Sequence, residues 1–470
     1  IPETGAAELI KSAASQCSGG KQLLGFFGDN AGADRVRLYV ILSDPEISEI
    51  LAGSCLFDRG GSYESLTPML PRFNMYEREF FEQYGIIPAG HPRLQPVRNT
   101  DEYVYLRRQG EDSHEVAVGP VHAGIIEPGH FRFICEGEKV MNLEIGLGYQ
   151  HRGVEKMIES AGPWKAAILA ESISGDTVCG HSAAYCQAIE ALSGAEVSRR
   201  SHAIRAIAIE MERMAMHAYG LASISNDIAF LMGSAVFGAN RTTIINTSLL
   251  ISGSRLGRGL IVPGGVAFDI NSEKAKTIKA NIGDACSKIG QMAEEMFSSA
   301  SVMSRLQETG VVTKADAMAH GLTGFAARAS GIAIDARADH PYGAYIEYPV
   351  TKITLGSGDV FARTCLRNME IEQSLKLVNE MCENLPQGRL LDRADVLMPE
   401  AMAISCVEGW RGPVVHAAIT DSKGNLRRYK IKDPSFDNWT GLALAVRGNG
   451  ISDFPLCNKS FDLSYCGNDL

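Results

Sequence analysis

Between residues 180 and 222 the apolar side chains fall at helical spacing for more than ten turns. Ala183, Cys186, Ile189 and Leu192 share one face, and Ile204, Ile207, Met211, Met214 and His217 share the next. Segments on either side of this middle read as strands instead. Residues 23–27 and 36–42 alternate or run apolar between turn signals. Residues 403–407, 414–420 and 426–431 do the same around the hairpin turn Ser422-Lys-Gly-Asn425. The pattern is α+β, with a helical middle and small antiparallel sheets.

The remaining expectations follow in chain order. Residues 1–17 form an amphipathic helix carrying Ala6, Leu9, Ile10 and Ala13. Glu77, Arg78 and Glu79 are a charged helix face used for packing and docking. Asn99-Thr-Asp-Glu102 and Gly110-Glu-Asp-Ser113 are polar breaks, so residues 1–98 form one domain, 99–114 a linker and 115–470 a second domain. Residues 116–145 suggest a small antiparallel sheet, 257–266 a loop, and 273–306 and 368–384 further helices.

Composition narrows the function classes. A chain of 470 residues is long enough for two or three domains with a sizeable core. The net charge of −10 argues against nucleic acid and gives no polybasic signal for anionic lipid. No run of about twenty apolar residues, the length needed to span a bilayer, appears. Residues 1–17 lack the basic start and apolar core of a signal peptide. The Ile1 start implies a native N-terminus that is processed or lies upstream. Eleven cysteines are scattered without any C-x-x-C pair. They are read as reduced and buried, in a cytoplasmic setting. A cluster of Cys179, Cys186, Cys457 and Cys466 brought together by folding is the alternative.

Two distant stretches carry the chemistry: Glu171-Ser-Ile-Ser-Gly-Asp-Thr-Val-Cys-Gly-His-Ser182 and Asp453-Phe-Pro-Leu-Cys-Asn-Lys-Ser-Phe-Asp-Leu-Ser-Tyr-Cys-Gly-Asn-Asp-Leu470. They resemble the large subunit of membrane-bound, energy-converting NiFe hydrogenases of the formate hydrogenlyase type. That family carries E-R-x-C-G-x-C-x-x-x-H-S and D-P-C-x-x-C, whose four thiolates hold nickel, two of them bridging to iron. Anchored on Glu171, His181 and Asp462, the four ligand positions here are Ser174, Thr177, Ser464 and Gly467. Nickel and low-valent iron need soft sulfur donors, and neither hydroxyls nor a glycine supply them. The resemblance therefore implies a hydrogenase scaffold without metal or other cofactor of its own.

Further motifs extend the likeness from about residue 35 to the end. Tyr76-Glu-Arg-Glu79, Gly85 and Gly90-His-Pro92 are similar to the 30-kDa subunit of respiratory complex I, the NADH–quinone oxidoreductase. Arg152-Gly-Val-Glu155 matches R-G-x-E, whose Glu is the first proton acceptor beside the metal. Glu210-Met-Glu-Arg-Met-Ala-Met-His217 with Asp227 resembles a motif shared with the complex I 49-kDa quinone-site subunit. Gly321-Leu-Thr-Gly-Phe-Ala-Ala-Arg328 has Phe325 for the usual Pro. Val407-Glu-Gly-Trp-Arg-Gly412 keeps the Arg that sits over the open side of the metal, with Trp410 in place of Pro.

The resemblance implies a soluble-arm subunit of a membrane-bound, redox-driven, proton- or sodium-translocating complex. It would sit peripherally on the cytoplasmic face of the inner membrane. Its partners would be a small iron–sulfur subunit, which carries the cluster, and membrane ion-pumping subunits. Glu155, Arg152, His181, Asp227 and Arg411 would line a polar cavity for proton or electron handling. Ser174, Thr177, Asp462 and Ser464 would contact a small polar acceptor. The alternatives are a non-catalytic scaffold plugged by Trp410 and Phe325, a quinone reductase site, and a hydrogenase with unusual ligands.

Overall fold

The structure, a computed structural model, describes residues 1–107, 112–122 and 126–470. Helix Ala6–Ser18 lies against an antiparallel sheet of strands Gln22–Asn30, Arg35–Asp44 and Glu49–Asp58, in that order. Alternation along the strands sends Phe26, Leu38, Val40 and Phe57 into one core with Leu9, Phe73 and Phe80. The third strand escapes the sequence reading because Ala52-Gly53-Ser54 interrupts its apolar pattern. Gly53 lies where the helix crosses, and a Cβ there would come within 2.8 Å of the Leu9 terminal methyl, which would have to shift.

Helix Asn74–Tyr84 corrects the expectation of a charged face. Glu77 and Glu79 are buried. Glu77 accepts from Ser65 Oγ and Thr67 Oγ1 at 2.6 Å each and from the Leu66 amide at 2.8 Å. Glu79 pairs with Arg98 and with Lys430 of the second domain. Tyr76 packs edge-on against Phe436 and donates to Asp437 at 2.6 Å. Part of this helix is therefore spent inside the chain. The opposite face of the first sheet joins the C-terminal sheet, where Phe27 and Ile41 meet Cys406, Val415 and Ile419.

The stretch between the two cores is tied to both sides. The Asn99 amide donates to Glu82 and the Leu106 amide to Glu144. Gly110 and Glu111 of the second polar break lie outside the described residues. The next strands, Ser113–Val118, His130–Glu136 and Lys139–Gly146, form an antiparallel meander. In its 119–129 loop, residues 123–125 also lie outside the described residues.

Five long helices make the middle: Val178–Ser193, Arg199–Asp227, Leu231–Ser252, Ser272–Ser298 and Val360–Glu383. Arg199–Asp227 is buried along most of its length. Leu231–Ser252 was not expected, because its buried positions include Gly233, Asn240 and Thr247 while Leu249 and Leu250 face outward. The 273–306 pattern is two helices, broken where Ser299 adopts an extended backbone. Val360–Glu383 starts earlier than 368 because the Asp359 carboxylate caps it, accepting from the Ala362 amide at 2.8 Å. Strands Met402–Gly409, Gly412–Thr420 and Leu426–Lys432 close the fold as the expected C-terminal sheet.

Candidate functional site

The first diagnostic stretch ends a short helix, Pro163–Ala170, and runs into Val178–Ser193, whose N-cap is Thr177. The second ends the chain in the helices Phe454–Phe461 and Tyr465–Asp469, with Asp462 in the left-handed region at φ 55° between them. The fold lays one on the other. Arg152 joins them, donating to the carbonyls of Ser172 and Ile173 at 2.7 and 2.9 Å and to that of Cys466 at 3.3 Å.

At the junction, Ser174 Oγ lies 2.9 Å from Ser464 Oγ. Ser174 spends its proton on Asp176 Oδ1 at 2.7 Å, so the Ser464 hydroxyl donates to Ser174. Ser464 Oγ also accepts the Gly467 amide at 2.9 Å. Asp176 is the centre of the arrangement. Arg411 grips it with both terminal nitrogens, at 2.7 and 2.6 Å, and also reaches Thr177 Oγ1 at 3.3 Å and the Asp462 carbonyl. Trp410 donates to the Asp176 carbonyl at 2.9 Å, and its ring lies 3.9 Å under the Arg411 guanidinium.

Burial differs across this pair. The Arg411 side chain is 3% exposed and that of Asp176 37%. Burial alone would raise the Asp176 carboxyl, but Arg411 and the two hydroxyls outweigh it and hold the group below its ordinary range. Asp462 goes the other way. Burial raises it, although Arg367 and Arg411 oppose, and its Oδ2 has no hydrogen-bond partner. The Glu212 carboxylate accepts the Cys179 and Gly180 amides at the start of Val178–Ser193. Burial, with help from Asp176, pushes it up to about 8.

The other expected site residues stand around this centre at different removes. His181 is fully buried between Asp433 and His416. Glu155 is bonded to Arg428, Lys430 and the Ile431 amide, and none of these contacts Asp176. Burial would raise Glu155, yet Lys430, Arg428 and Arg98 hold it well below its usual value. Asp227 pairs with Lys459. His217 Nε2 lies 2.9 Å from Glu370 Oε2, in a buried network where Arg328 also binds Glu370 and Glu408. The four cysteines of the alternative cluster have separate neighbours: Cys179 lies by Leu256, Cys466 by Ser464 and Cys457 by Gly310, while Cys186 is buried in the main core.

Residues 7–111 match the family described as the respiratory-chain NADH dehydrogenase 30 Kd subunit, and residues 227–401 the 49 Kd subunit. Hydrogenase-4 component G of Escherichia coli (strain K12) is 31% identical over 437 residues, covering 87% of this chain and 76% of that one. The chain belongs to this family of hydrogenase-related subunits that fuse 30-kDa-like and 49-kDa-like domains. Formate hydrogenlyase subunit 5 of the same organism is 28% identical, covering 87% and 77%. The C/D subunit of NADH-quinone oxidoreductase from Bacteroides thetaiotaomicron is also 28% identical, covering 83% and 82%. A chain from the solved structure of the membrane-bound sulfane sulfur reductase, an archaeal respiratory membrane complex, has the same fold, with TM-score 0.72 at 24% identity. It covers 77% of this chain and 100% of that one.

The resemblance implies a nickel–iron centre where the two stretches meet, and the residues present here do not fit one. The positions hold two serines, a threonine and a glycine, and the two serine hydroxyls bond each other. A side chain at Gly467 has no room, because its Cβ would lie 2.7 Å from the Asp433 carboxylate and 2.9 Å from Ser464 Oγ. Asp176, Asp433 and His416 were missed from sequence. Asp176 was the findable one, since it sits between two of the positions that the resemblance aligns with ligands, and a buried Arg411 needs a counter-charge.

Proposed function

We propose that this chain is a subunit of a membrane-bound, redox-driven ion-translocating complex. It packs on a small iron–sulfur subunit beside membrane ion-pumping subunits, peripheral to the cytoplasmic face. It holds no nickel–iron centre and handles protons at the site centred on Asp176. The names of its relatives, hydrogenase and NADH-quinone oxidoreductase subunits, support the assembly. No described helix is long and apolar enough to cross a membrane, which fits peripheral attachment.

The single observation that carries the site's role is the two-pronged Arg411–Asp176 pair amid the four former ligand positions. Arg411 keeps Asp176 ionised at rest. If an arriving negative charge, such as a reduced cluster or an anionic acceptor, draws Arg411 away, only the two hydroxyls still oppose burial and the carboxyl's proton affinity rises. Ser174 and Thr177 orient the carboxylate throughout. Its partial exposure gives that proton a way in.

A second reading, a scaffold that only couples its neighbours, is favoured by Trp410 and Phe325. Each is 1% exposed, and their near-parallel rings are 6.4 Å apart. Asp176→Asn in the intact complex separates the two. Proton handling predicts that coupled turnover falls at least tenfold while assembly persists. Unchanged turnover leaves the scaffold.

A further inference from the structure

The two domains do not meet flush. Between them lies a cleft of about 450 Å³, a size usual for small-molecule sites. One wall is the end of helix Ala6–Ser18, the start of strand Gln22–Asn30 and residues 69–72. The other is residues 317–323 with Ile332, Ile334 and Pro413. The cleft shares no lining residue with the site centred on Asp176.

Most of the lining is apolar. Met69 and Met318 stand on opposite walls, 68% and 49% exposed, with Leu70, Leu322 and Ile334 further along. Flexible thioethers adapt to apolar ligands of varied shape. Cys17 adds a small buried surface. Burial pushes its thiol up to about 11, against the pull of Arg72, so it is protonated and unreactive near neutral pH.

Three charged side chains face the cleft, and two of them cancel. Lys432 Nζ lies 2.7 Å from Asp437 Oδ2, while Tyr76 donates to Asp437 Oδ1 at 2.6 Å. Arg72 is the third, and it has no carboxylate partner among the described residues. Its terminal nitrogens donate to the Lys21 carbonyl at 3.4 Å and the Met318 carbonyl at 2.6 Å, and its Nε–H is buried without an acceptor. The nearby Lys21 ammonium is already tied to Asp44 at 2.8 Å. A guanidinium carries five N–H groups, and here two of them carry bonds.

A cation left unmatched on an apolar cleft recognises an anion that brings an apolar body with it. One guanidinium suits a carboxylate, which has a single charge and a planar pair of oxygens. A phosphate monoester, with a charge near −2, needs a second free cation, and Lys432 is spent on Asp437.

We infer that this cleft binds a fatty carboxylate, its head on Arg72 and its chain between Met69 and Met318. The ligand touches both domains, as Arg72 itself does through its two carbonyl partners.

Photolabelling of the intact complex with a diazirine-bearing dodecanoate, followed by mass-spectrometric mapping of peptides, tests the site. Label should fall on the peptides carrying Met69 and Met318. Dodecanoate should displace it, and dodecanol and dodecyltrimethylammonium should not. Arg72→Gln should cut the labelling about tenfold or more, as expected for loss of a charge-assisted contact. Arg72 also joins the domains, so Met318→Glu supplies an independent variant. It keeps the backbone carbonyl that Arg72 holds, places a carboxylate at the exposed edge of the cleft, and should cut labelling as deeply. An unlabelled cleft, equal displacement by dodecanol, or labelling indifferent to Met318→Glu overturns the inference. Stronger displacement by the single-chain phosphate lipid lysophosphatidate overturns the choice of a carboxylate.

Discussion

Ser174 and Ser464, 290 residues apart in sequence, share a hydrogen bond of 2.9 Å between their hydroxyl oxygens. Each stands at a position that the resemblance aligns with a metal-binding cysteine. Donor atoms that bond each other are not presented to a metal, and here the bond pins the chain's end onto the start of helix Val178–Ser193.

Ser464→Ala should therefore loosen the C-terminus without unfolding the protein. It removes the donor to Ser174 and the acceptor for the Gly467 amide at a helix start. The expected cost is about 1–2 kcal/mol. Denaturant unfolding of the purified protein or complex measures it, and Ser464→Thr should recover part of the loss.

Restoring cysteines one at a time should fail at the fourth position. Gly467→Cys drives its Cβ into the Asp433 carboxylate, an overpacking cost of about 1–3 kcal/mol. Ser174→Cys has no such obstacle in its helix-start loop. A lowered melting temperature for Gly467→Cys, partly relieved by adding Asp433→Ala, is the expected pattern.

Much of the frame was legible because it is local or periodic. The helix expected at 1–17, which begins only at Ala6, the first two strands, the C-terminal hairpin and the meeting of the two diagnostic stretches all follow from spacing or from motif resemblance. Three things were not legible. Helix Leu231–Ser252 mixes buried Asn240 and Thr247 with exposed leucines, so it shows no stripe. Glu77 and Glu79 look like surface charge in sequence, yet their partners lie at 65–67 and at Lys430, too far along the chain to be inferred. Asp433 and His416 matter only through contacts made across about 235 to 252 residues, as their bonds to His181 show.

Stability should fall as pH rises through neutrality, in part because of Glu212. Its folded pKa, about 8, lies above the ordinary carboxylate value of about 4.3. Between those two values the folded state binds more protons than the unfolded, so stability drops with rising pH and the loss is complete above about 8. Glu212→Gln should thus stabilise the protein more at pH 8 than at pH 5, by on the order of a kcal/mol or more. Melting curves of both forms at the two pH values give the comparison.

Glu155→Gln tests whether this carboxylate moves protons or only anchors them. It removes one of the negative charges that Arg428 and Lys430 share. As a proton relay its loss should abolish coupled activity in an assembled complex. As an anchor it should cost about 1–3 kcal/mol of stability and leave turnover near wild type. Turnover and unfolding measured on the same preparation separate the outcomes.

The central claim is that this scaffold holds no nickel–iron centre. Elemental analysis of the complex, purified with its partner subunits from cells grown with ample nickel, tests it most directly. The account predicts iron accounted for by the partner's clusters, with nickel at background. One nickel per chain, lost on substituting Ser174 or Ser464, would contradict it.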